Sequence, residues 1–290
     1  MYAIMGVTGN TGKVAAETLL AAGEAVRVIV RRADAGAAWA AKGAEVAVAD
    51  LEDEAALRAA FEGARGIYLL SPPEMRTDDF VALAARRIGT ALAAAKASGV
   101  AHVALLSSVG AQHLVGTGPV RALHVAEQLV RQSGIAATLL RAGYFQENWG
   151  GMLGAAVEHG VLPSFFPADL PVNMVATADI GRAAARALVE PAAPGEVRSW
   201  AVTGPGPVTP AEIAQAVGEL LGRPVALQVQ PLEAIVPTFT SFGCSAHVAT
   251  LFAELNAGVI SGHLAWEPTD LPVPGRRTAR ETLAGLLGRA

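Results

Sequence analysis

Short runs of apolar, often β-branched residues alternate with alanine-rich segments from the start of the chain to about residue 140. The alternation predicts strands at Tyr2–Met5, Ala25–Val30, Glu45–Ala47, Gly66–Leu70, His102–Leu106 and Ala137–Leu140, with helices near 11–22, 34–42, 53–62, 77–98 and 119–133. Neighbouring parallel strands need crossover connections, which these segments supply. The pattern therefore predicts an α/β fold, a doubly wound parallel sheet with helices on both faces and ligands at the carboxyl ends of its strands.

The pattern changes in the second half of the chain. We expect helices at Phe145–His159, Thr177–Val189 and Thr209–Leu221, strands at Val197–Val202 and Val225–Val229, helical stretches after Pro231 broken by Pro237 and Gly243, and a last helix near 278–287. No linker-like segment separates the two parts. The second part is therefore expected to pack directly on the open edge and carboxyl ends of the sheet.

Composition excludes several classes of protein. Of the 290 residues, 52% are hydrophobic and 17% charged, which is sufficient for a sizeable core. The single Cys244 excludes an intramolecular disulfide, and no His, Asp and Glu cluster has metal-ligand spacing. A net charge of -4 argues against nucleic acid. The charge-free stretches 98–120 and 234–253 are interrupted by polar residues and the N-terminus lacks signal-peptide features, so we expect a cytoplasmic protein without a membrane span.

A glycine-rich loop, Gly6-Val-Thr-Gly-Asn-Thr-Gly12, connects the first strand to the first helix. The first glycine permits the tight turn, the second lets backbone approach a pyrophosphate, and the third allows close helix–strand packing. The helix N-terminus supplies free N–H groups for an anion. The loop predicts a dinucleotide site formed by Gly6, Thr8, Gly9, Asn10, Thr11 and Gly12.

Two arginines follow the second strand and favour NADP over NAD. A guanidinium at Arg31 can pair with the 2′-phosphate of NADP, with Arg32 assisting, where an acidic residue would bind the ribose of NAD. The alternative is a pair of solvated arginines. Asp50 and Leu51, after the third strand, stand where side chains meet the adenine; alternatively, Asp50 is the N-cap of the next helix.

Several segments together resemble the NmrA-like branch of the atypical short-chain dehydrogenase/reductases, which includes bacterial NAD(P)H:quinone oxidoreductases and triphenylmethane reductase. The resemblance rests on the glycine loop, Val-Arg31-Arg32, Tyr68-Leu-Leu-Ser-Pro72, Glu127-Gln-Leu-Val-Arg-Gln-Ser-Gly134, Thr138-Leu-Leu-Arg-Ala-Gly-Tyr-Phe-Gln-Glu-Asn148, Ala178-Asp179-Ile180 and Val202-Thr-Gly204. It covers nearly the whole chain.

The resemblance implies a Rossmann-like NADP-binding domain and a smaller α/β C-terminal substrate domain. It places the first at 1–150, with 175–205 returning to it, and the second mainly at 151–290. It implies cofactor contacts from the glycine loop, Arg31, Ser71, Pro72, Ser107, Ser108, Gly143, Tyr144 and Phe145. The chain departs from the branch at Ala142, where relatives have Asn or Pro, and between Pro119 and Glu127, where it is one residue short.

The usual proton-delivery pair of the larger family, Tyr-x-x-x-Lys, is absent. The tyrosines are Tyr2, Tyr68 and Tyr144, and none precedes a lysine by four residues. The remaining candidates are His113 in the loop after the fifth strand, His124 on the following helix, Tyr144, Ser107 and Ser108. Each has a structural alternative: a surface loop or core histidine, packing against nicotinamide for the tyrosine, and positioning of substrate for the serines.

Aromatic residues predict an apolar pocket for a flat hydrophobic molecule. They are Phe145, Trp149, Phe165, Phe166, Phe239 and Phe242, with His247 nearby, and part of this set can equally belong to the core. We expect a monomeric or homodimeric NADPH-dependent reductase of a hydrophobic quinone, aromatic ketone or related conjugated acceptor. The alternatives are a non-catalytic NADP-sensing regulator that binds a protein partner, and an isomerase or lyase that retains the cofactor.

Overall fold

The structure, a computed structural model, describes residues 1–289. The strands are β1 (Tyr2–Ile4), β2 (Val26–Val30), β3 (Glu45–Val48), β4 (Gly66–Leu69), β5 (His102–Ser108), β6 (Ala136–Ala142), β7 (Tyr144–Phe145), β8 (Val161–Ser164), β9 (Val172–Val175), β10 (Val197–Thr203), β11 (Pro207–Val208), β12 (Ala226–Val229) and β13 (Leu271–Pro274). The α-helices are α1 (Asn10–Ala21), α2 (Ala37–Ala40), α3 (Glu54–Phe61), α4 (Phe80–Ala97), α5 (Val120–Ser133), α6 (Leu153–His159), α7 (Thr177–Val189), α8 (Pro210–Leu221), α9 (Ile235–Ser241), α10 (Ala246–Ile260) and α11 (Ala279–Leu286).

The central sheet has the strand order β3-β2-β1-β4-β5-β6-β10-β13, and all neighbouring strands are parallel. The direction of winding reverses between β1 and β4, which is where ligands bind in open parallel sheets. The predicted Rossmann-like α/β class is confirmed.

Two buried layers sandwich this sheet. On one face, α1 and α7 pack on the sheet through small residues such as Ala15, Ala16 and Ala184. Their close approach requires Gly181, where a Cβ would lie 2.6 Å from the carbonyl oxygen of Thr11. On the other face, α3, α4 and α5 bury their own apolar stripe. The N-termini of α1 and α7 consequently lie close together at the carboxyl edge of the sheet.

A third buried cluster forms around α6, α8, α11 and the small sheets β11-β9-β7 and β12-β8. Helix α8 starts with the predicted signal: Thr209 and Glu212 form a reciprocal capping box. Strands β10 and β13 return to the central sheet, so the carboxyl edge of that sheet is bordered by chain from both halves of the sequence.

Three local predictions are wrong. Pro237 does not break a helix, because it is the third residue of α9, where no intrahelical N–H bond is required. Tyr144–Phe145 is a short strand followed by a 3₁₀ turn over Gln146–Met152, and α6 starts only at Leu153. The sequence reading missed β13, whose two prolines are tolerated because it is an edge strand.

Across residues 1–289, the helices are too short or too polar to traverse a lipid bilayer.

Candidate active site

The glycine loop joins β1 to α1 with almost no spare space on one side and open space on the other. Gly6 has a φ of +67°, which side-chain-bearing residues rarely adopt. A Cβ at Gly12 would collide with the carbonyl oxygens of Met5 and Gly6, whereas a Cβ at Gly9 would meet the Gly6 carbonyl at an ordinary 3.4 Å. Within the described chain no side chain caps α1, so its first N–H groups are free to bind an anion.

Thr11 and Tyr68 lie beneath this loop. The buried hydroxyl of Tyr68 donates to Thr11 Oγ1 at 2.9 Å. Burial raises the pKa of Tyr68 well above its ordinary value, and the hydrogen bond to Thr11 only partly opposes this. Tyr68 therefore supports the loop and is a poor source of protons. Thr8 and Asn10 are exposed beside it.

The two arginines after β2 differ in what they contact. Arg32 makes a two-pronged ion pair with Asp34, at 3.0 Å from Nε and 2.5 Å from Nη2. Arg31 is exposed, and among residues 1–289 no ion pair or side-chain hydrogen bond engages it. Arg31 is the guanidinium that remains available for a phosphate.

Asp50 and Leu51 follow β3 at the same edge of the sheet. Asp50 is exposed and its Oδ1 accepts a hydrogen bond from the Glu52 backbone at 3.0 Å. The N-cap of α3 is Asp53, whose Oδ1 accepts from the Ala56 backbone, so the alternative reading of Asp50 as that cap is wrong. Leu51 is buried in the core on the α3 side.

Buried charged residues lie beneath the ends of β5 and β6. The Ser107 hydroxyl donates to Glu127 Oε1 at 2.6 Å. The Arg141 guanidinium donates to the same carboxylate, from Nε at 3.0 Å and from Nη2 at 2.7 Å. The side chain of Arg141 is only 2% exposed. Because Glu127 accepts the serine proton, the Ser107 side chain is left with acceptor capacity alone.

The third arm of Arg141 points at the segment after α10. Its Nη1 donates to Glu267 Oε2 at 2.5 Å and to Asp270 Oδ1 at 3.1 Å. Burial alone would lower the pKa of Arg141, but hydrogen bonds to Glu127 and Glu267 and the charges of Glu127 and Asp270 outweigh it and raise the pKa. One guanidinium therefore joins β6, α5 and the segment leading into β13.

The two candidate histidines differ in their free nitrogens. His124 Nδ1 lies 2.9 Å from the Ala111 carbonyl, which can only accept, so Nδ1 carries the hydrogen and Nε2 remains free. His113 stacks on His263 at 4.2 Å, with its Nε2 3.2 Å from the amide of Gln112. Burial, and then the charge of His263, lowers the pKa of His113.

The loop after β6 carries Gly143, Tyr144 and Phe145. A Cβ at Gly143 would lie 2.6 Å from the Asn173 carbonyl, which fixes the approach of this loop to β9. Tyr144 meets the ring of Phe166 edge-on at 5.4 Å, and burial raises its pKa to about 12. A phenol of that pKa is a weak acid.

Residues 235–270, which we call the cover, border the strand ends from the other side. The turn between α9 and α10 contacts the loop that follows Ser71 and Pro72: Ser245 N donates to the Met75 carbonyl at 2.9 Å and Ser245 Oγ to that of Thr77 at 2.7 Å. His247 Nε2 accepts weakly from Phe80 N at 3.4 Å. The cover is thereby attached to the loop after β4.

The expected aromatic pocket residues occupy different environments. In the cover, Phe239 stacks on Phe252 at 4.7 Å, and Phe242 is 81% exposed. Phe145 is half-buried against the main core. Trp149 is 1% exposed in the third buried cluster, where its Nε1 contacts Met174 Sδ at 3.4 Å, so the structure places it in the core.

Sequence reasoning did not single out Arg141, Glu267 or Asp270. A signal was present, because Arg141 interrupts a strand that is otherwise apolar and buried on both faces, where a charge must be paired. The sequence carries no mark of which carboxylates pair with it, since Glu267 and Asp270 lie more than a hundred residues away along the chain.

A model of the NmrA-like family matches residues 2–279. Quinone oxidoreductase 2 of Escherichia coli is 31% identical over 269 residues, which cover 91% of this chain and 90% of the relative. An NAD(P)H azoreductase of Xenophilus azovorans is 29% identical over 281 residues, covering 97% of this chain and 94% of the relative.

Solved structures agree over the same length. An NADPH-dependent quinone oxidoreductase from Escherichia coli in complex with NADPH superposes with a TM-score of 0.83 at 29% identity, over 99% of this chain and all of the other. A Citrobacter triphenylmethane reductase in complex with NADP(H) shares the fold, with a TM-score of 0.81 at 24% identity over 98% of this chain and 99% of the other.

Proposed function

The chain belongs to the NmrA-like family and is an NAD(P)H-dependent oxidoreductase, and from this premise we propose that it reduces a flat hydrophobic quinone or a related conjugated aromatic acceptor. The observation that carries the proposal is the position of an aromatic segment, the cover, beside the strand ends that carry the cofactor-binding loops. Relatives named for quinones and for an azo compound support an acceptor with an extended π-system.

The residues present fit NADP. The uncapped N-terminus of α1 and the open space above Gly9 suit a pyrophosphate, and the unpaired Arg31 suits a 2′-phosphate. Arg32 is held by Asp34 and contributes less. Ser71, Pro72 and the Gly143–Phe145 loop lie at the same carboxyl edge and are proposed to contact the nicotinamide half.

Bound NADPH supplies a hydride, and reduction of a quinone to a hydroquinone consumes that hydride and one proton. The chain has to hold the acceptor flat, keep water from the reacting carbon and deliver the proton. Phe145 and Phe242 are proposed to contact the aromatic face of the acceptor, Phe242 from the exposed tip of the cover.

We assign proton delivery to His124. The hydroxyls of Ser107 and Ser108 already donate, to Glu127 and to the Val109 carbonyl, and Tyr144 is a weak acid. His124 keeps a free Nε2 and lies three residues before Glu127, on the same face of α5 and one turn nearer the carboxyl edge of the sheet. When charged, it can donate from Nε2 to an acceptor oxygen.

The test is consumption of NADPH with benzoquinone, menadione and phenanthrenequinone as acceptors. We expect turnover with quinones, and His124→Gln is expected to lower kcat by about 100-fold with a changed pH profile. His159→Gln, which removes an exposed histidine on α6, is the matched control. Tight NADPH binding without turnover of any quinone would contradict the proposed acceptor class, and full activity of His124→Gln would remove this histidine from the mechanism.

A further inference from the structure

The ion pair between Arg141 and Glu267 connects two parts of the site. Arg141 ends β6 immediately before the Gly143–Phe145 loop, and Glu267 belongs to the cover. The same stretch of the cover is attached to the strand ends twice more: Trp266 Nε1 donates to the Arg141 carbonyl at 2.8 Å, and Gln112 Nε2 donates to the Ala265 carbonyl at 2.7 Å. The indole of Trp266 thereby lies beside Gly143, 3.5 Å from the position of a Cβ there.

The three carboxylates around Arg141 are not equivalent. Glu127 and Asp270 are buried, with side-chain exposures of 3% and 0%, whereas Glu267 is 43% exposed. Losing either buried carboxylate would leave Arg141 short of a buried partner, which is costly. Losing the charge of Glu267 leaves Arg141 compensated by the other two. Glu267 is therefore the partner that can change without removing the compensation on which the core depends.

We propose that the Arg141–Glu267 ion pair positions the cover against the acceptor end of the site, so that Glu267 is a positioning residue for acceptor binding and leaves cofactor binding unaffected. The part that concerns the acceptor rests on the proposed function. Glu267 contacts the side chain that precedes the Gly143–Phe145 loop and is adjacent to Trp266, which lies against that loop. The cofactor loop Gly6–Gly12, by contrast, is formed without any residue of the cover.

The experiment compares Glu267→Gln with the unchanged protein and with Glu190→Gln, which removes a comparably exposed carboxylate from its ion pair with Arg186. We expect faster amide hydrogen exchange at 262–270 in Glu267→Gln, an unchanged thermal midpoint, and an unchanged Kd for NADPH measured by fluorescence. The KM for phenanthrenequinone should rise about three- to tenfold, from loss of one hydrogen bond to a charged group, with a smaller rise for benzoquinone, which offers less surface to the cover. Glu190→Gln should match the unchanged protein.

Wild-type exchange rates at 262–270 in Glu267→Gln would overturn the proposal, and so would a weakened Kd for NADPH. Equal rises of KM for the large and the small quinone would overturn the role in acceptor binding. Hydrogen exchange needs no turnover, so a chain that reduces no quinone would refute the proposed acceptor while the positioning of the cover is still decided.

Discussion

The cofactor side of the site is formed by consecutive residues, Gly6 to Gly12, and by Arg31 at the end of the neighbouring strand. The acceptor side is formed by residues from β5, α5, β6 and the cover, joined through Arg141. The first side works through free backbone N–H groups and one exposed cation. The second works through a buried charged group and its distant partners. Backbone sites tolerate change in most side chains around them, whereas a buried charge makes each partner necessary.

The largest expected effect is on the acceptor side. Arg141→Met leaves Glu127 and Asp270 buried without a cation, and we expect the free energy of unfolding to fall by about 3–5 kcal/mol, measured by urea denaturation. Arg32→Met, which breaks an exposed ion pair on the cofactor side, should leave the stability unchanged within error. Equal effects of the two substitutions would remove the contrast between the two sides.

The next effect concerns the glycine loop. Gly12→Val places side-chain atoms against the carbonyl oxygens of Met5 and Gly6, and forcing the loop aside should weaken NADPH binding by up to about 100-fold. Fluorescence titration with NADPH measures this. Gly89→Ala on α4, where a Cβ meets open space, is the control and should bind NADPH normally. Unchanged affinity in Gly12→Val would separate this loop from the cofactor.

A smaller effect should separate the two cofactors. Arg31→Ala removes a charge-assisted contact to the 2′-phosphate, so the Kd for NADPH should rise about tenfold while that for NADH stays unchanged. Arg32→Ala should have less effect, because Asp34 already occupies that guanidinium. A similar loss for NADPH and NADH in Arg31→Ala would refute the assignment of Arg31 to the 2′-phosphate.

The smallest effect is a pH dependence confined to the acceptor side. Burial and the charge of His263 hold the pKa of His113 below 6.5, with Glu267 opposing and Arg141 and His124 adding to the shift. The neutral ring is therefore favoured in the fold, and its stabilising contribution is lost as the pH falls below about 6.5.

Hydrogen exchange at residues 109–119, corrected for intrinsic rates, should increase between pH 7.5 and about 5.5, and α1 should show no such change. His113→Gln should reduce the pH dependence. An equal acceleration in α1, or a pH-independent rate at 109–119, would contradict this expectation.

Most of the fold was predictable because its signals are local. The six strands of the first half were located to within a few residues, and Thr209 and Thr278 cap their helices through the expected side chains. The errors fall where tertiary contacts override local pattern. Tyr144–Phe145 pairs with β9 instead of continuing a helix, and β13 forms despite two prolines because it completes the edge of the sheet.

For the candidate site the division is similar. The sequence by itself determined the glycine loop, the NADP preference carried by Arg31 and the absence of a Tyr-x-x-x-Lys pair, because each depends on residues that are close along the chain. Only the tertiary structure decided that Trp149 lies in the core, that Arg32 is already paired, and that Arg141 joins Glu127 to Glu267 and Asp270. The physical reason is that a buried charge is satisfied by whichever partners the packing brings near it, and residue spacing carries no record of that choice.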